Sequence, residues 1–196
     1  AQKIHADQKE SGKKITKIYA SDFRRTRETA EHVASVLGLD ASQIIFDARL
    51  REINGGDFDG GKWSERASFF NGLHDTIYKK VPNGESVEDV KKRTAEFLYD
   101  LDSKHEDENI LVITHGLPLR LMINTVNGKT CRDLLRSGWR DYSDPNASLH
   151  VIDFKPLPHN ESMELDLHRP YIDAVTWESK VEEGIVFLDG TKSVGG

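Results

Sequence analysis

The chain has 196 residues, a formal net charge of −6 and charged side chains at 31% of its positions. That size supports one domain with a substantial core, and the acidic balance argues against a nucleic-acid surface built on basic patches. No apolar run reaches membrane-span length, no secretory signal is visible, and the single cysteine, Cys131, offers neither an internal disulfide nor a Cys-rich zinc site; a cytoplasmic setting is expected.

Residues 1–10 form a helix candidate closed by Ser11-Gly12. Residues 15–20, Ile-Thr-Lys-Ile-Tyr-Ala, follow as a strand with β-branched residues. Ser21 or Asp22 can cap the next helix, which carries Thr26, Ala30, Val33, Ala34 and Leu37 on one side and stops at Gly38. Residues 43–46 make a second short strand, leading into Leu50-Arg51-Glu52 and a glycine-rich loop over 55–61. Residues 63–80 are helical in parts, with Gly72 as a break, and Pro82-Asn83-Gly84 is a turn. Ser86 and Asp89 then form a capping-box start, and Val87, Val90, Phe97, Leu98 and Leu101 recur at helical spacing to about Lys104.

The uncharged run Ile110-Leu111-Val112-Ile113 reads as a strand buried on both faces, spanning 109–114 and ending at His115-Gly116. A helix over 117–126 ends near Gly128, another is expected over 129–137, and a further strand over 147–154. The alternation of strands and helices predicts an α/β fold: a three-layer αβα sandwich with a mainly parallel sheet. Past Lys155 the texture changes, with Pro156 and Pro158 in a linker and a possible hairpin pairing 175–177 with 185–188. The expected organisation is one domain over 1–158, followed by a linker and tail over 159–196.

Polar groups collect at the strand ends. The first strand delivers Arg24, Arg25 and Arg27, the second Arg51 and Glu52, the third His115. In open α/β sheets the ligand crevice lies outside the carboxyl ends of the strands, so parallel strands would gather these groups at one edge. Cations in a helix's first turn oppose the macrodipole at roughly 0.3–1 kcal/mol each, whereas guanidinium forks beside free backbone N–H groups suit a phosphate dianion. Each residue also has a plainer reading: the arginines as a solvated face, Glu52 as a surface carboxylate, His115 as a partner for a neighbouring loop. Their convergence is what favours a site.

The segment Ser21-Asp22-Phe23-Arg24-Arg25-Thr26-Arg27-Glu28-Thr29-Ala30 resembles a signature of the histidine phosphatase superfamily, the phosphoglycerate-mutase-like fold. Leu50-Arg51-Glu52 with Gly56-Asp57-Phe58-Asp59-Gly60 resembles its acid loop. Gly84-Glu85-Ser86, Val112-Ile113-Thr114-His115-Gly116 and Asn146-Ala147-Ser148 match further motifs, in order, across residues 1 to about 154. The resemblance implies a small phosphorylated substrate and no metal or cofactor. It also implies a phosphoryl group carried on a nucleophilic histidine, transferring oxygens held by Arg25 and His115, and a leaving alcohol protonated by Glu52. The connection between Glu52 and Gly84 is short, whereas the family's mutases carry a long insertion there, which favours a phosphatase over a phosphoglycerate mutase.

One departure stands out. The family's nucleophile lies in an Arg-His-Gly motif at the end of its first strand, and this chain contains no such motif. With Ala1 at its start and Val-Gly-Gly at its end, the chain is expected to be N-terminally truncated, to lack that strand beside 109–114, and to be inactive by itself. Residues 164–173, Glu-Leu-Asp-Leu-His-Arg-Pro-Tyr-Ile-Asp, resemble a segment of isoleucyl-tRNA synthetases, although the expected cysteine pairs do not follow. Two alternatives therefore stand beside the phosphatase. One is a non-catalytic phosphate-binding module. The other is an insert in a synthetase parent that binds ATP and tRNA, with residues 1–158 making no direct nucleic-acid contact.

Overall fold

The computed structural model describes residues 1–127, 129–131 and 147–152. Three parallel strands, β1 (Ile15–Ala20), β2 (Ile44–Phe46) and β3 (Asn109–Ile113), lie in the order β2–β1–β3. Among the described residues the α-helices include α1 (Gln2–Ser11), α2 (Arg24–Leu37), α3 (Trp63–Ser68), α4 (Gly72–Tyr78), α5 (Val87–Lys104) and α6 (Gly116–Val126). Strand period sorts the sheet's side chains onto two faces. Ile18, Ala20 and Leu111 pack with Ala30, Val33 and Ala34 of α2. Tyr19, Ile110 and Val112 face Phe97, Leu98 and Leu101 of α5 and Met122 of α6. Helices thus cover both sides, the layered α/β arrangement and parallel sheet that the alternation predicts.

The α5 start is as the residue pattern predicts. Asp89 N–H donates to Ser86 Oγ at 3.1 Å, and Ser86 N–H donates to the Asp89 carboxylate at 2.9 Å. The apolar stripe of α5 is buried between the sheet and α4 and α6, with Val87 and Val90 against Ile77, Leu117 and Leu121. Fully burying side chains of this kind contributes about 1.5–3 kcal/mol each.

Three expectations are corrected. Neither Ser21 nor Asp22 caps α2: the N-cap is Phe23, without a side-chain cap, because both polar side chains turn to partners distant in sequence. The strand expected over 147–154 is not formed at 147–152. Among the described residues β3 pairs with β1 alone, and 147–152 does not join its outer edge but runs in solvent, with Val151 86% exposed. The strand at 109–114 ends one residue early, at Ile113, whose carbonyl accepts from Ser21 N–H at 3.0 Å, and the Thr114 hydroxyl donates to the Leu50 carbonyl at 2.8 Å. Of the helix expected over 129–137, Lys129 and Thr130 are not helical and 132–137 lie outside the described residues, as do the Pro158 boundary, the 175–188 hairpin and residues 164–173.

Candidate active site

The register that pairs Ala20 with Ile113 brings the exits of β1 and β3 side by side, and Ser21 N–H continues the ladder onto the Ile113 carbonyl at 3.0 Å. Two residues further on, the chain turns into α6 with His115 as its N-cap. The turn after β1 is held by Thr26, whose buried Oγ1 reaches the carbonyls of Ser21 and Phe23 at 2.7 and 2.8 Å. That turn aims the first residues of α2 at His115.

Arg25 and His115 meet. The guanidinium approaches His115 Nδ1 from Nε at 3.1 Å and from Nη2 at 2.8 Å. A guanidinium can only donate, so Nδ1 is the acceptor and the proton sits on Nε2, which donates to Ser21 Oγ at 2.9 Å. The ring is 9% exposed. Burial, then the charges of Arg25 and Arg93, depress its pKa from 6.5 to about 4, so the imidazole is neutral at pH 7. The Phe23 ring lies edge-on to it, 5.3 Å between centroids, with the Arg25 and Arg51 guanidinium carbons 5.1 and 5.7 Å from the Phe23 ring centre.

Glu52 lies on the segment that follows β2 past the same strand edge, where the Leu50 carbonyl accepts from the Thr114 hydroxyl. After β2, Asp47 N–H bonds to the Ala20 carbonyl at 2.9 Å and the chain passes along the exit of β1. Arg51 then forks onto Asp22, its Nε at 2.6 Å from Oδ1, and holds that carboxyl below its ordinary pKa. Glu52 hydrogen-bonds neither Arg25 nor His115; its Oε1 accepts from Ile53 N–H at 2.9 Å. The contact between Arg25 and His115 is direct, whereas Glu52 is placed by its loop.

That loop is stitched to the turn before α5. Asp57 N–H donates to the Pro82 carbonyl at 3.0 Å, Glu85 N–H to the Asn54 carbonyl at 3.0 Å, and Asn54 N–H to Glu85 Oε2 at 2.9 Å. A Cβ on Gly56, where φ is +54°, would press into the Pro82 carbonyl oxygen. The anchor is Arg93, which donates to Glu85 Oε1 at 2.8 Å and Oε2 at 3.1 Å, to the Arg49 carbonyl at 2.6 Å and to the Glu52 carbonyl at 3.2 Å.

Residue patterns alone missed Ser21 and Arg93 as site residues. Ser21 looks like an ordinary helix cap. Arg93 carried a signal, because it falls between Val90 and Phe97 at the three-and-four spacing of the buried stripe, where an arginine calls for a buried partner. Among the described residues no group of three or more His, Cys, Asp or Glu side chains could hold a metal ion, and no helix is long and apolar enough to cross a membrane.

The model for the histidine phosphatase superfamily (branch 1) matches residues 2–158. The chain belongs to that superfamily. Among its relatives is "Putative phosphoserine phosphatase 2" of Hydrogenobacter thermophilus, 34% identical over 145 residues covering 71% of this chain and 67% of the relative. Another is "Probable phosphoglycerate mutase GpmB" of Erwinia tasmaniensis, 32% identical over 149 residues covering 74% and 66%. The solved structure of Bacillus stearothermophilus YhfR is similar with a TM-score of 0.52 and 29% identity, over 61% of this chain and 60% of that one. The chain thus spans about two thirds of these curated relatives and three fifths of the solved chain. The synthetase resemblance of residues 164–173 gains no support from these matches.

Proposed function

We propose that this domain is the phosphomonoesterase part of a histidine phosphatase, with Arg25 and His115 as ligands of the transferring phosphoryl group and Glu52 as the acid. The observation that carries the reading is the direct Arg25–His115 contact at the carboxyl edge of the parallel sheet. The names of the phosphatase and mutase relatives agree with phosphate-ester chemistry, and the short connection between Glu52 and Gly84, occupied by α3 and α4, favours hydrolysis over mutase action.

On this reading an incoming phosphate monoester draws the Arg25 fork off His115 Nδ1 and onto two of its oxygens. A histidine nitrogen forms a bond to phosphorus while the ester P–O bond breaks, and the Glu52 carboxyl gives its proton to the departing alkoxide. The Glu52 carboxylate next takes a proton from water, whose oxygen bonds to phosphorus as the P–N bond breaks, releasing inorganic phosphate. Phosphoryl transfer passes through a loose transition state, so positioning and neutralisation of oxygen charge supply most of the catalysis.

The attacking histidine is not in an Arg-His-Gly motif within residues 1–196. The reading requires it from sequence preceding Ala1, and residues 1–196 alone would then bind phosphate without turning it over. Hydrolysis of 4-nitrophenyl phosphate by the full-length protein, lost on His115→Ala, is the expected result. Full activity in His115→Ala, or an upstream strand lacking histidine, refutes the assignment.

A further inference from the structure

Among the described residues the Glu52 carboxylate accepts only from the N–H of its own neighbour, so its direction is set through the backbone that carries it. Its carbonyl and that of Arg49 bracket the segment between them, and both are gripped by one guanidinium. The rest of that guanidinium grips Glu85, whose carboxylate in turn holds Asn54 N–H just past Glu52. The clamp therefore acts on both flanks of Glu52 and springs from α5, an 18-residue helix packed against the sheet and α6. We propose that Arg93 is the positioning residue for the acid step: it holds the 49–54 segment so that Glu52 meets the leaving oxygen, and touches neither substrate nor phosphoryl group.

The inference rests on the phosphatase reading above and goes beyond it by assigning a residue and a separable role. Lysine carries the charge of Arg93 but cannot span the four acceptors that the fork holds. Charge and geometry can therefore be taken apart. Facing His115 are Arg25 from α2, Ser21 and Phe23 from the turn after β1, and the Arg93 charge from α5. Arg93→Gln removes a cation that opposes imidazole protonation, whereas Arg93→Lys retains it.

The test uses full-length protein and a series of aryl phosphates from poor to good leaving groups, with kcat/KM as the readout of the first transfer. General acid assistance is worth about 10²–10⁴-fold where the leaving group needs a proton. Wild type is expected to be nearly insensitive to the leaving group. Both Arg93→Lys and Arg93→Gln should lose about 10–100-fold on phenyl phosphate and under about threefold on 4-nitrophenyl phosphate. His115, followed by NMR, should titrate higher only in Arg93→Gln. Equal losses across the series, or a defect in Gln that Lys repairs, overturn the proposal, since the first means general damage and the second an action through charge. Should an Arg93 variant fail to fold, Glu85→Gln loosens the same clamp from its other end, and an unchanged leaving-group slope there is equally fatal. A wild-type enzyme that hydrolyses none of the series overturns the phosphatase reading itself.

Discussion

A phosphate dianion entering beside His115 should raise the imidazole pKa, and the size of the rise follows from the contacts. In the free site the ring is buried, accepts the N–H groups of Arg25 at Nδ1 and titrates at about 4. A unit charge ~4 Å away interacts by about 4 kcal/mol at an effective dielectric constant of ~20, equivalent to about 3 pKa units. Solvent at the crevice mouth reduces this by about half, and the move of Arg25 onto the phosphate removes a donor from Nδ1. The expected shift is therefore upward by at least about 1.5 units. The bound pKa exceeds the free one, so binding takes up a proton between the two values, and affinity falls as pH rises through the bound pKa. The assay is NMR titration of the His115 ring in residues 1–196, assigned with His115→Gln, in the absence and presence of saturating phosphate or vanadate. Saturable binding that leaves the His115 pKa within 0.3 units (about 0.4 kcal/mol) would show that the anion sits elsewhere and refute the site.

Three further outcomes are expected. Arg25→Lys keeps the charge but loses the fork that spans two oxygens, and should lower kcat/KM of the full-length protein about 10²–10³-fold in steady-state assays. Gly56→Ala forces a side chain into the Pro82 carbonyl from a left-handed backbone; it should cost about 2–4 kcal/mol in urea unfolding, with a larger loss of turnover than of phosphate binding. Between pH 6.5 and 4 the unfolded chain protonates His115 and the folded chain does not, so stability present above pH 6.5 is lost as pH falls through that window. After discounting for solvent access this amounts to about 1–2 kcal/mol, and the difference in urea-midpoint slope between wild type and His115→Gln, which lacks only this group's share, measures it.

The layered fold is readable from local pattern because local pattern is what determines it. Ile110 to Ile113 carry apolar side chains to both faces of the sheet, although only Leu111 is buried, and the α5 stripe with its Ser86–Asp89 box leaves one face to bury. The site is readable only in part. Arg25 and His115 stand out because parallel strands share one carboxyl edge, which the alternation of elements predicts. Ser21 and Asp22 mislead for a reason that no local rule contains: each has the chemistry of a cap, and each is claimed by a side chain distant in sequence, His115 and Arg51. The segment at 147–152 misleads in the opposite sense, since alternation describes a strand's faces and says nothing of whether a ladder partner is in place.

Two of the helix starts flank the candidate site. Helix α2 begins without a side-chain cap, has no acidic residue in its first turn, and puts Arg24 and Arg25 there instead. Helix α6 begins at His115, likewise without a side-chain cap or an acidic first turn. A missing cap typically costs about 1 kcal/mol, and cations at a helix N-terminus cost a few tenths more. Beside these two ends the fold buries a neutral imidazole against a guanidinium. Uncapped starts recur at α1, α3 and α4, so what sets this place apart is a first-turn guanidinium held against a buried imidazole. A single dianion among Arg25, His115 and the first N–H groups of the two helices would relieve the costs at this place together: it pairs the cation, favours the protonated ring and meets both positive helix ends. On the phosphatase reading, the free site is thus held in a state that is costly until an anion arrives. That is the state expected of a site whose affinity is directed at phosphoryl oxygens.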